Sequence, residues 1–131
     1  MTNFVKYDIG ENIENVIQDN IEYDAVHVND KMYKYKELYS RAESIRNVVN
    51  SLEIERSQFI GIFCYRSIDA YAGIVGTLFS KNAYLPLNPF HPIDKIKKIL
   101  ALSDCKIIIL GEEAADSFSK LSSLAPISFD L

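Results

Sequence analysis

Apolar residues recur along this chain at two periods, and the alternation between them sets the expected fold. Over Ile9–Asp19, Ile9, Ile13, Val16 and Ile17 share one helical face, with Glu11, Asn12, Glu14, Asn15 and Gln18 turned away. Residues 25–28 are β-branched enough for a short strand, and Asn29-Asp30-Lys31 reads as a turn. Residues 32–36 alternate apolar and charged, so they read as a half-exposed strand closing a hairpin. Leu38, Ala42, Ile45, Val49 and Leu52 then give one buried stripe along a helix at 37–52, with Glu37 at its positive end. Residues 59–65 are apolar on both sides of the pleat, as in parallel strands covered on two faces. Ser67 is placed to cap a helix at 68–80, with Asp69 in its first turn. That helix is apolar almost all round. Gly73 and Gly76 within it point to close packing that offsets their poor helix propensity.

The stretch from Leu78 to Pro92 follows. It reads as a helix end, a tight connection, a buried strand over Ala83–Leu87 and a proline-rich exit, with Pro92 opening the next helix. Ile93, Ile96, Ile99, Leu100 and Leu102 form that helix's inner face. Lys95, Lys97 and Lys98 lie outside as a solvated face rather than a binding patch. Residues 106–110 form a buried strand closed by Gly111. Residues 112–124 give a weaker helix with Ala115, Phe118 and Leu121 inward, and 126–131 begin a last strand. Short apolar strands alternating with helices predict an α/β fold. It is a three-layer arrangement, a mainly parallel sheet flanked by helices on both faces, with an N-terminal β-hairpin. No boundary divides residues 1–131, so a single unit is expected.

Composition changes this picture little. The chain has 131 residues, about half of them apolar, and a net charge of −4. That balance excludes the basic footprint of a nucleic-acid binder, and no apolar run approaches the roughly 20 residues of a membrane span. Met1-Thr2-Asn3-Phe4 lacks the charged and apolar regions of a secretory signal, so a cytoplasmic protein is expected. Cys64 and Cys105 sit far apart in apolar runs and read as small core residues, not as a metal pair or a reactive thiol. His27 and His91 are isolated, and each reads as a polar filler rather than a base. No nucleophile elbow and no glycine-rich phosphate loop occurs. No catalytic residue and no metal ligand is therefore assigned. One candidate remains: Arg66 and Ser67, beyond the end of a predicted strand and at the start of a helix, are placed to hold an anion. The plain alternative is an arginine paired with a surface carboxylate.

Two segments carry a recognisable pattern. Tyr35-Lys36-Glu37-Leu38 followed by Arg41-Ala42 is the first. Leu78-Phe79-Ser80-Lys81-Asn82-Ala83-Tyr84, then Leu85-Pro86-Leu87-Asn88-Pro89 and Pro92, is the second. With their spacing and the strand at 107–110, they make the chain resemble the N-terminal part of adenylate-forming enzymes from about Asn12 onward. The closest likeness is to the amino-acid adenylation domains of nonribosomal peptide synthetases. The chain departs from the family pattern at Lys81 and Asn82, where the family has glycines, and at Asn88, where it has aspartate. In the family this region shapes the sheet and its turn, so the departures bear on turn geometry.

The resemblance implies a parent reaction in which an amino acid and ATP, with magnesium, give an aminoacyl-adenylate and pyrophosphate. The family's phosphate loop, ribose-binding aspartate, substrate pocket and catalytic lysine have no counterpart here, so no cofactor is expected for this chain alone. We read it as a truncated N-terminal portion, inactive by itself. Its expected partner is the remainder of an adenylation domain or synthetase chain, or a second copy through self-association. The alternatives are a non-catalytic scaffold module that dimerises or docks on a synthetase, and a small nucleotide-binding domain, against which the missing glycine-rich loop counts.

Overall fold

The computed structural model describes residues 8–54 and 58–119 and the backbone of a final strand, Ile127–Asp130. The elements run α1 (Ile9–Asp19), β1 (Asp24–Val28), β2 (Lys31–Lys34), α2 (Tyr35–Ser51), β3 (Phe59–Phe63), α3 (Ile68–Phe79), β4 (Ala83–Leu87), α4 (Ile93–Ser103) and β5 (Ile107–Leu110). A single 3-10 turn, Glu112–Ala114, leads into α5 (Ala115–Ser119), and β6 (Ile127–Asp130) comes last. Strands β4, β3, β5 and β6 lie in that order and are all parallel, while β1 and β2 form a separate antiparallel hairpin. Asn29 and Asp30 both take positive φ, 53° and 59°, the requirement of a two-residue hairpin turn that matches strand twist.

Alternation along β3 and β5 explains their unbroken apolar runs. Ile60, Ile62, Ile107 and Ile109 face α1, α2 and α3, burying Ile17, Leu38, Ala42, Ile45, Val49 and Ala72. Phe63, Ile108 and Leu110 face the other way, onto Ile96 and Leu100 of α4 and Leu87 of β4. Each strand is covered on both faces, so this is the expected three-layer α/β fold.

Several expectations need correction. The strand at 32–36 ends at Lys34, because the Glu37 carboxylate accepts the Lys34 N–H at 2.8 Å and pulls the helix start back to Tyr35. The strand at 59–65 ends at Phe63. On α1, Ile17 is buried and Ile13 is half-buried, but Ile9 and Val16 stand exposed. Gly10 is buried in their place: a methyl group there would collide with the Leu78 carbonyl of α3. The contact line thus runs through a glycine, which hydrophobic spacing cannot register. Strand β4 is an edge strand, with Tyr84 and Pro86 exposed, not a fully buried one. Leu102 is 83% exposed, turned away from the inner face of α4. In the region after Gly111, Ala114 is buried and Ala115 is not, and the described helix stops at Ser119. Leu121 lies outside the described residues.

Polar contacts pin α1 and α2 to the rest. Arg46 of α2 reaches Glu14 of α1 at 2.9 Å and Glu43 at 3.0 Å, and lies 5.0 Å over the Phe79 ring. The Tyr39 hydroxyl donates to Glu14 at 3.0 Å. Arg46, followed by that hydroxyl, holds the Glu14 carboxyl below its ordinary pKa. Lys81 pairs with Asp8 at 2.9 Å, and the Asp8 carboxylate also caps α1 by accepting the Glu11 N–H at 3.0 Å.

Candidate functional site

The carboxyl ends of β3 and β4 open on the same side of the parallel sheet, the place where such folds bind ligands. After β3 come Cys64, Tyr65, Arg66 and Ser67, and after β4 comes the loop Asn88 to Pro92. The Asn88 side chain accepts the Phe90 N–H at 2.9 Å, and its carbonyl accepts the His91 N–H at 3.0 Å, so asparagine fixes this turn locally. The two loops meet edge to face, with the Tyr65 and Phe90 rings 5.0 Å apart. Between them lies an apolar groove of about 510 Å³. Ala70 and Ile74 line it from α3, Ile99 from α4, and Pro86 and Leu87 from β4, with Arg66 and His91 also on its lining.

Arg66 and Ser67 are brought to this groove's end of the sheet, but their chemistry differs. The Ser67 hydroxyl accepts the Ala70 N–H at 3.3 Å and so caps α3 as expected. Asp69, in the same turn, is bound by Arg41 of α2 at 2.7 Å, so the positive end of α3 already faces a carboxylate. The Arg66 side chain is exposed, and among the described residues no carboxylate lies within ion-pair distance of it. A smaller cavity of about 70 Å³ beside it is lined by Tyr65, Ser67, Asp69, Glu112 and Glu113. Among the described residues no group of three or more histidine, cysteine, aspartate or glutamate side chains is placed to hold a metal ion.

Both cysteines are free thiols, Cys105 buried and Cys64 half-buried. Burial, with the Asp69 charge adding to it, pushes Cys64 up to about 12, and burial also raises Cys105. His27 is exposed on the hairpin, far along the chain from His91, which lines the groove.

The two sequence patterns prove to be structural joints. Glu37 sets the start of α2, Arg41 ties α2 to the first turn of α3, and Ala42 packs beneath Gly76. In the second pattern Lys81 stands at φ 63°, the left-handed region that glycine adopts without strain. Lysine accepts that cost and gains the Asp8 pair. We expect Lys81→Gly to be more stable than Lys81→Ala by about 1 kcal/mol, since both lose the pair and only glycine relieves the backbone. Urea unfolding of the two variants measures the difference, and equal midpoints would remove the strain from the account.

Three comparisons with known proteins bear on identity. The model of the family described as AMP-binding enzyme matches residues 13–128. Indigoidine synthase of Dickeya dadantii is 33% identical over 118 residues, which are 90% of this chain and 8% of that protein. Tyrocidine synthase 2 of Brevibacillus parabrevis is 30% identical over 100 residues, 76% of this chain and 3% of that protein. Among solved structures, the AMPPNP-bound nonribosomal peptide synthetase FmoA3 superposes with a TM-score of 0.80 at 18% identity, over 92% of this chain and 13% of that one. The chain therefore spans less than a tenth of the curated relatives it matches. Among the described residues no helix is long and apolar enough to cross a membrane. By its sequence match over most of its length, and by a fold that agrees, the chain belongs to the AMP-binding enzyme family.

Proposed function

We propose that this chain is the N-terminal portion of an amino-acid-activating, adenylate-forming domain. In the parent reaction, a carboxylate oxygen of the amino acid attacks the α-phosphorus of ATP and displaces pyrophosphate, leaving an aminoacyl-adenylate. The observation that carries this reading is the family match over residues 13–128, with relatives that are peptide and indigoidine synthases.

We read the described residues as insufficient to hold ATP or magnesium by themselves. Lys81, Arg41 and Arg46 are each committed to a carboxylate, and among the described residues no group of acidic, histidine or cysteine side chains is placed to hold a cation. No step of the reaction is therefore routed through them. Their part is to build the sheet edge and helix layers against which the catalytic remainder is positioned. Ser67 serves as a helix cap in this reading, and Arg66 as a surface cation beside it.

Titration calorimetry of ATP with magnesium into the purified chain should give no saturable heat, and the chain alone should not exchange pyrophosphate into ATP. Saturable binding would overturn the reading and return attention to Arg66 and Ser67. Supplying the remainder of the domain in trans should restore exchange that depends on an amino acid. A second reading, a non-catalytic module that dimerises or docks on a synthetase, draws on Phe90, which is 81% exposed beside the groove. A stable dimer by analytical ultracentrifugation, with no rescue of exchange, would favour it.

A further inference from the structure

We propose that the edge of β4, unpaired among the described residues, is a slot for one further strand, contributed by the rest of an adenylate-forming domain, and that this strand carries a carboxylate where it passes Arg66. The inference rests on the function proposed above and names the surface through which the remainder docks.

The backbone sets the slot's polarity. The Ala83 N–H donates to the Gln58 carbonyl at 3.0 Å, so Ala83, Leu85 and Leu87 direct their peptide groups toward β3. By alternation, Tyr84 and Pro86 direct theirs outward. The free edge therefore offers the Tyr84 N–H and carbonyl and the Pro86 carbonyl. Pro86 lacks an N–H on that outer side, and so costs the β3 ladder nothing.

The surroundings have the shape of a strand site. Ala70 and Ile74 of α3 stand on one side of the edge and Ile99 of α4 on the other. An edge left to solvent is ordinarily protected by charge, by proline or by brevity. This one has no charged side chain: it presents Tyr84, 40% exposed, beside the exposed Pro86. A second copy is a poor occupant, because two β4 edges paired antiparallel would bring in a proline without a donor from each side.

Charge identifies the occupant's end. The described lining of the groove contains no aspartate or glutamate, and Arg66 is its arginine, without a carboxylate among the described residues. A strand continuing the parallel sheet would bring its C-terminal end to Arg66. The relatives supply the source, since this chain covers only 8% of the Dickeya protein and 13% of the FmoA3 structure.

The test uses the isotope-labelled full chain and two short peptides of alternating valine and threonine, one ending in glutamate and its twin in lysine. The glutamate peptide should shift the Tyr84 amide resonance and slow its hydrogen exchange. It should bind about threefold tighter than the lysine peptide, and Arg66→Ala should erase that preference. Equal affinity of the two peptides, or no response at Tyr84, would overturn the proposal. So would concentration-dependent protection of Tyr84 without peptide, which would assign the slot to a second copy. No nucleotide enters the measurement, so its failure leaves the adenylation reading standing, and failure of pyrophosphate exchange leaves the slot standing.

Discussion

Gly76→Ala is expected to destabilise the chain by about 2 kcal/mol, while Gly73→Ala, one turn away on the same helix, is expected to be nearly neutral. The two substitutions gain the same helix propensity, about 1 kcal/mol each. They differ in what the new methyl group meets. At Gly76 it would lie 2.7 Å from the Ile45 Cβ and 2.8 Å from the Ala42 carbonyl oxygen, both held by the backbone of α2. Neither can turn aside, so the whole of α2 must move away from α3. At Gly73 the nearest atom, at 3.0 Å, is the Cδ1 end of the Ile62 side chain, which can rotate. For a domain of this size the Gly76 variant should melt roughly 5–10 °C lower. Equal melting temperatures for the two variants would show that α2 and α3 do not depend on this close approach.

That contact also marks where sequence reading succeeds and fails. Hydrophobic spacing places α1, α3 and β4 within a residue of their observed bounds, and local chemistry bounds α3 and β4 with a cap at Ser67 and a turn at Lys81 and Asn82, as Pro92 bounds the start of α4. It fails where contact is made by something other than an apolar side chain. Gly10 carries the α1 contact in preference to Ile9 and Val16, since the helices approach backbone to backbone. The start of α2 is decided by a carboxylate three residues downstream, which outweighs the alternating pattern through Tyr35 and Lys36. Strand β4 looks buried because its residues are apolar. Pro86 was the readable sign of an edge, since a central strand has no place for a residue without an N–H.

At the candidate site the cap at Ser67 was legible in the sequence. The pairing of Arg41 with Asp69 was not, because it joins side chains 28 positions apart. That pairing commits Asp69 to the α2–α3 joint, and Arg66, which lines the groove, is left without an ion pair among the described residues.

Asn82→Ala is expected to cost about 2–3 kcal/mol, the other large effect. Asn82 is 7% exposed, and it replaces a glycine of the family pattern with a side chain that knits two segments together. Its Oδ1 accepts the Gln58 N–H at 3.1 Å, at the start of β3. Its Nδ2 donates to the Ser80 carbonyl at 3.1 Å and to the Ser80 hydroxyl at 3.0 Å, at the end of α3. Alanine would leave the Gln58 N–H without its acceptor in a part-buried place, and an unmet donor costs more than the average bond contributes. Hydrogen exchange separates this mechanism from a general loosening. The Gln58 amide should exchange faster by more than the global loss of stability accounts for, while amides in the middle of β5 should follow the global change alone. Asn82→Gly should lose at least as much as Asn82→Ala, because glycine restores no bond and adds backbone freedom to the unfolded chain. A stable glycine variant would mean that the turn holds itself and that Asn82 is incidental to the junction of α3, β3 and β4.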